Sequence, residues 1–295
     1  MRAGSVAVIG RANAGKSTLI NVLVGEKVSI VSPKPQTTRD RIMGVLTTSD
    51  YQIAFVDTPG LYKAENLLNS VMQKTAEDSA KEVDLVLFVL DAHVGISDQD
   101  KSLIQKFSKL GVPFVLALTK IDIMPESLLV SELNDLNDGK LEVVPVSARK
   151  NRNIKELLKV IVSKLPEGDK LFEEDIVSDR SERFMIGEIM REKLLLKFDK
   201  EIPHGVAVII NKFALMEGGR MYEISLDIVC EKPNHKAILI GKQGSAIKEV
   251  SSFARQDMEK FLGKKVFLTT YIKVKEDWRN SAMLMKEYGY GEENR

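Results

Sequence analysis

The chain has 295 residues, 44% of them apolar and 29% charged, with a formal net charge of +1; that is room for two domains with ordinary buried cores. Its longest apolar run, around Leu85–Leu90, falls far short of the roughly 20 residues a membrane-crossing helix needs, and Met1 and Arg2 lead straight into a strand-like run with no signal-peptide architecture. A lone cysteine, Cys230, excludes an intrachain disulfide, suits a reducing cytoplasm and, in an alternating run, reads as an inert buried thiol.

The first 165 residues alternate short apolar strands with amphipathic stretches. Strands are expected at Ser5–Ile9, Ile42–Thr48, Gln52–Val56, Asp84–Leu90, Pro113–Leu118 and Glu142–Val146. Helices are expected at Lys16–Val24, Asp98–Leu110 and Ile154–Leu165. This predicts an α/β domain over 1–165 with a mostly parallel sheet and one antiparallel edge strand, from the hairpin Ile42–Thr48/Gln52–Val56.

Between the first strand and first helix stands Gly10-Arg11-Ala12-Asn13-Ala14-Gly15-Lys16-Ser17, followed by Thr18. It matches the phosphate-binding pattern G-x-x-x-x-G-K-[ST]. Glycines let backbone N–H groups wrap the phosphates, Lys16 reaches the β and γ phosphates, and Ser17 can ligate Mg²⁺. Asp57-Thr58-Pro59-Gly60, with Leu61 after it, ends another strand. Asp57 can hold the Mg²⁺ shell there, and the Gly60 N–H can meet the γ-phosphate.

Two later motifs specify the base. Thr119-Lys120-Ile121-Asp122 follows a strand, and Asp122 can accept hydrogen bonds from guanine N1–H and N2–H₂, a pairing adenine lacks. Ser147-Ala148-Arg149 follows the next strand and supplies backbone for guanine O6. All of these, in order at strand C-termini, point to a GTP/GDP site. Lys16 and Gly60 are the catalytic candidates within it. Leu61 stands where many GTPases place a water-orienting glutamine, so slow intrinsic hydrolysis is expected.

Pro166-Glu167-Gly168-Asp169 and the acidic Glu173-Glu174-Asp175 predict a linker over 166–179. Residues 180–295 then carry 21 Lys and Arg against 17 Asp and Glu, a balance of +4, whereas the first 179 residues balance at −3. The excess is densest at 232–275, with 10 basic and 3 acidic residues, as a nucleic-acid footprint would be. The element order is a helix striped with Ile186, Ile189, Met190, Leu194 and Phe198, strands Val206–Phe213 and Tyr222–Cys230, a short helix Ala237–Ile240, Gly241-Lys242-Gln243-Gly244, a longer helix and a strand Val266–Val274. Ile240-Gly241-Lys242-Gln243-Gly244 between helices matches the GXXG loop that clamps an RNA backbone in KH domains. Lys236, Lys242 and Lys248 supply charge there, and Ile238, Ile240 and Ile247 can line a groove for bases.

Together these motifs resemble the GTPase superfamily and, within it, the TrmE–Era group. Pro35-Gln36-Thr37-Thr38-Arg39 is similar to that group's switch I, which implies that Thr38, or less readily Thr37, ligates Mg²⁺ and makes Thr38 a further catalytic candidate. The resemblance also implies that Asn13 helps bind K⁺, supplying positive charge at the transition state; the bland reading is that it braces the loop. A GTPase domain followed by one α+β type II KH domain, 180–295, resembles the Era branch, the bacterial small-subunit ribosome assembly GTPases. That implies binding to the 3′ end of 16S rRNA in the 30S subunit, a monomer, and peripheral association with the inner face of the cell membrane.

Two departures stand out. Thr119 occupies the place of the family's usual Asn, and Ala12 and Ala14 replace the commoner Pro and Val. Three rivals have discriminants. A tRNA-modification GTPase needs a folate-binding domain and a C-terminal cysteine motif, a double-GTPase factor needs a second P-loop, and an RNA-binding protein with a dead nucleotide domain would fail a turnover assay.

Overall fold

A six-stranded sheet organises the first part of the chain. The computed structural model describes residues 1–61, 65–125, 128 and 141–290. The strands are β1 (Arg2–Ile9), β2 (Ile42–Thr47), β3 (Tyr51–Asp57), β4 (Leu85–Asp91), β5 (Phe114–Thr119) and β6 (Glu142–Pro145), in the order β2-β3-β1-β4-β5-β6. Only β2 is antiparallel to its neighbour.

β4 reads Leu-Val-Leu-Phe-Val-Leu because both its faces are covered, and the two-residue period divides the central strands between two cores. Val6, Val8, Leu87, Val89, Val115 and Ala117 face one core, with Leu19 and Ile20 of α1 (Lys16–Val24) and Leu157 and Ile161 of a later helix, Ile154–Lys164. Ala7, Ile9, Val86, Phe88, Leu116 and Leu118 face the other. Two helices flank β4, α2 (Leu67–Ser79) before it and α3 (Asp98–Phe107) after it, and Ile154–Lys164 is α4. Helix α2 was not expected: its buried stripe, Leu68, Met72 and Ala76, is thin in apolar residues, and its mean composition is polar. The sheet's order reverses beside β1, so the segments leaving the C-terminal ends of β1 and β4 run to helices on opposite faces and open the crevice where α/β sheets bind ligands.

The chain divides into two compact units: Met1–Val31, Thr38–Lys63 and Met72–Asp179 form one, and Ser32–Thr37, Ala64–Val71 and Arg180–Arg295 form the other. The stretch 166–179, expected as a linker, therefore belongs to the first unit. It lies along the open edge of the sheet as a strap. The Val45 N–H donates to Val177 O at 2.8 Å, and the Met43 N–H donates to the Asp179 carboxylate at 2.9 Å. Buried Gln52 holds the middle: its carbonyl accepts from Leu171 N–H (2.7 Å) and Phe172 N–H (2.9 Å), and its amide donates to Phe172 O (2.9 Å). Proline, glycine and acidic residues spoil regular secondary structure, but they leave most backbone groups free to pair with an unpaired edge.

The second unit is built on α5 (Glu182–Lys197), β7 (Ala207–Leu215), β8 (Met221–Cys230), α6 (Pro233–Ile240), α7 (Ser245–Leu262), β9 (Lys265–Val274) and α8 (Ala282–Glu287). Its sheet runs β7-β8-β9, antiparallel then parallel. The stripe Ile186, Ile189, Met190, Leu194 and Phe198 packs on Ile224, Leu226, Ile228 and Cys230 of β8 and on Val250, Ala254 and Met258 of α7. Cys230 is fully buried, and burial pushes its thiol pKa up, as an inert thiol requires. Trp278 is fully buried between Tyr288 and Tyr290, its indole N–H donating to Gly205 O at 2.9 Å. No helix among the described residues is long and apolar enough to cross a membrane.

Candidate nucleotide site and RNA loop

The first loop leaves β1 and enters α1 through backbone that favours glycine. Gly15 caps α1 in the left-handed region with φ 93°, and Asn13 shares that region with φ 64°. A Cβ at Gly10 would lie 2.3 Å from Val89 O, so the chain can pass β4 only without a side chain. Asparagine tolerates left-handed backbone better than most residues, so Asn13 has a conformational reason to be here besides any chemical one.

Lys16 is buried at the centre of the loop, its amine donating to Gly10 O (3.1 Å) and Arg11 O (3.0 Å). Burial lowers its pKa to about 8, against the opposing pull of the Asp57 charge. Asp57 ends β3 fully buried, and burial raises its pKa, offset by hydrogen bonds from Ser17 and the charge of Lys16. One carboxylate oxygen accepts from the Ser17 hydroxyl (2.7 Å) and the Thr38 hydroxyl (3.3 Å), which lie 2.9 Å from each other. The other oxygen is buried with no hydrogen-bond partner, and the nearby Ser29 hydroxyl does not complete one.

Thr37 and Thr38 separate cleanly. The Thr37 hydroxyl donates to Lys34 O at 2.7 Å, while Thr38 is turned toward Asp57. Gly60 comes against the first loop so closely that a Cβ would meet Ala12 Cα at 2.7 Å. Leu61 N–H donates to Gly10 O at 3.1 Å, and the Leu61 side chain is buried in the second core. It is packing. Residues 62–64, which follow Leu61, lie outside the described residues.

The base-reading elements converge from β5 and β6. Asp122 accepts a 2.6 Å hydrogen bond from the Ser147 hydroxyl, and that bond lowers the Asp122 pKa, helped by Arg149 and Lys150. Ser147-Ala148-Arg149 is folded into a tight loop by mutual backbone bonds between Ser147 and Arg152 (3.1 and 2.9 Å). Lys120 is left-handed (φ 61°) and pairs with Asp91 at 2.6 Å, and Ile121 is buried beneath it. Thr119, in the place of the usual Asn, puts its buried hydroxyl 2.6 Å from Ala14 O and 2.8 Å from Leu90 O. One hydroxyl proton can serve one of these carbonyls at a time, so β5 is braced to the first loop by a single bond.

Two braces were not anticipated. Arg11 donates to Asp100 (3.1 Å) and Ser97 (3.2 Å) at the capping box that opens α3, and Asn21 accepts from Val28 N–H and Ser29 N–H. The pattern Ser97-x-x-Asp100 is legible locally as a cap, but its pairing with a residue 89 positions away is not.

In the second unit, α6, Gly241-Lys242-Gln243-Gly244 and α7 form the expected helix–loop–helix, with α6 beginning at Pro233 rather than Ala237 because proline suits a first helical turn. Gly241 (φ 73°) approaches α7 so closely that a Cβ would lie 2.7 Å from Ala246 Cβ. Lys242 and Gln243 are exposed at the tip, Lys248 is exposed one turn into α7, and Lys236 and Ile240 are half-buried on α6.

The GTPase of Clostridium kluyveri called Era is 44% identical over 292 residues, covering 98% of this chain and 99% of its own length. This chain belongs to the Era family of GTPases. Era of Alkaliphilus metalliredigens is likewise 44% identical, over 291 residues and 98% of this chain. A family model described as "50S ribosome-binding GTPase" matches residues 5–120, and a KH-domain model matches 201–279. Among solved structures, a point variant of Aquifex aeolicus Era bound to GDP·AlF₄⁻ superposes with a TM-score of 0.95 at 38% identity, over 99% of this chain and all of that one. Era in complex with MgGDPNP and nucleotides 1506–1542 of 16S ribosomal RNA does so with a TM-score of 0.95 at 39% identity, over the same shares. The enzyme is therefore a GTPase, and its second domain is a KH domain.

Proposed function

We propose that this GTPase binds the 3′ end of 16S rRNA through Gly241-Lys242-Gln243-Gly244 and acts in assembly and maturation of the 30S subunit, as a cytoplasmic monomer. The observation that carries the RNA reading is the exposed Lys242-Gln243 tip between two glycines, on a chain whose relative was solved with 16S nucleotides. In the nucleotide site, the buried, unpartnered oxygen of Asp57 and the hydroxyls of Ser17 and Thr38 fit one Mg²⁺. Among the described residues no cluster of His, Cys, Asp or Glu could hold a metal without outside ligands. Three protein ligands suffice for Mg²⁺, which keeps waters and shares phosphate oxygens. When bound there, Mg²⁺ neutralises charge developing on the β and γ phosphates.

This chain's own groups do the rest. The P-loop backbone from Gly10 to Thr18 wraps the phosphates, and Lys16 exchanges its loop carbonyls for phosphate oxygens. The Gly60 N–H faces the γ-phosphate, and Thr38 reports its presence to switch I. With Leu61 buried, no side chain at that position orients the attacking water. We assign the missing positive charge to K⁺ held at Asn13, which is exposed at the loop's crest. Asp122 and the Ser147–Arg149 loop read guanine.

Replacing Lys242 with Asp tests the RNA reading. Binding of single-stranded RNA should weaken, and its log–log salt slope should flatten by about 0.7 for each phosphate that the side chain no longer neutralises, with GTP binding unchanged. An unaltered affinity and slope would refute the assignment.

A further inference from the structure

Resting on that RNA reading, we propose a second RNA contact on the outer face of β9, where Phe267 and Tyr271 stack the bases of a single strand that continues from the GKQG loop. β9 is an edge strand, paired with β8 on one side only. Its inward residues Leu268, Ile272 and Val274 pack on the core, and Thr270 lies 3.3 Å from Ser251 of α7, one of the two helices that carry the loop. Its outward residues include Phe267 and Tyr271, each 55% exposed. They are four residues apart on one face, hence about 13 Å.

The face does not look like a protein interface, whose buried centre is contiguous and apolar. Between the two rings stands the register pair Thr269–Ser225, two hydroxyl residues. Separated aromatic rings on an open sheet, with polar groups between them, are what base stacking uses. Charge agrees. The segment 264–275 carries Lys264, Lys265, Lys273 and Lys275 and no carboxylate. The carboxylates facing it from β8 are already neutralised, Asp227 by Lys273 and Glu223 by Lys212, both at 2.6 Å, and Glu259 of α7 pairs with Lys265 and Arg255. The strand thus presents one face toward the loop's helices and two free ring faces behind it.

The test uses the full chain and two fluorescein-labelled single strands of 16S 3′-end sequence. One has about four nucleotides, enough for the loop alone, and one has about twelve. Phe267→Ala and Tyr271→Ala should each weaken the longer strand by about 5- to 100-fold and leave the shorter unchanged, while Tyr271→Phe and Phe267→Tyr should bind as the parent does. Ultraviolet crosslinking should place the longer strand on β9. If both alanine variants bind the longer strand as tightly as the parent while Lys242→Asp weakens it, the second contact is refuted and the loop stands alone. If Lys242→Asp also leaves both strands unaffected, the RNA reading fails with it.

Discussion

Asp122→Asn should convert the site's base preference. The carboxylate is fixed by the 2.6 Å bond from Ser147 and, with its pKa lowered by that bond, stays ionised at neutral pH. It can therefore accept from guanine N1–H and N2–H₂ together, each bond to a charged group contributing about 1.5–3 kcal/mol. Asparagine keeps one acceptor oxygen but turns an amide donor toward a guanine donor. One bond is lost and one opposed, about 4–5 kcal/mol in all, or roughly 10³–10⁴ in affinity for GTP. Xanthosine presents a carbonyl where guanine has its amino group, so the variant should prefer xanthosine triphosphate. The fold should survive: Asp122 is half-buried, and the amide oxygen can still accept from Ser147, at a cost of about 0.5–1 kcal/mol. Competition of labelled GTP by unlabelled GTP and xanthosine triphosphate, on parent and variant, measures the switch. A variant that folds and keeps the parent's guanine preference would refute the assignment of Thr119–Asp122.

Three further outcomes follow from the geometry. Because Leu61 is buried and Asn13 is exposed on the loop, GTP turnover should be faster in KCl than in NaCl at equal ionic strength, by about tenfold or more; equal rates would leave Asn13 a structural role only. Thr119→Val removes the buried hydroxyl at constant shape and leaves Ala14 O without its partner from β5, so it should cost about 1–3 kcal/mol and weaken nucleotide binding; an unchanged melting temperature and nucleotide affinity would show that the brace is idle. Gln52→Ala frees the backbone of Leu171 and Phe172, so limited proteolysis should cut within 166–179 far sooner than in the parent; equal cutting rates would mean that the edge pairing at Met43 and Val45 holds the strap unaided.

Much of the site was legible in the residues because phosphate and guanine recognition are local. Gly10–Ser17 needs only a strand before it and a helix after it, Asp57 closes a strand whose apolar run is plain, and Asp122 and Ser147 each follow such a strand within three residues. The unbroken apolar runs of β4 and β5 likewise announced strands of a mostly parallel sheet. Other features escaped because their cause is distant in sequence. The composition of 166–179 says only that no helix or strand forms there of its own accord; the open edge of β2 and the amide of Gln52 hold it. Helix α2 went unnoticed because Met72 and Ala76 make a weak stripe, enough for burial but not for pattern.

Sequence by itself determined the order of the strands, the phosphate and base motifs and the GKQG loop, since each is a short run whose chemistry depends on near neighbours. Only the tertiary structure shows that the Thr37 hydroxyl donates to Lys34 O while the Thr38 hydroxyl meets the Asp57 carboxylate. It also decided that Leu61 is packing, that Thr119 can brace Ala14 O, and that Phe267 and Tyr271 point outward. Each of these depends on what lies across a sheet or a core, and contacts between residues far apart in the chain are set by packing that no local pattern records.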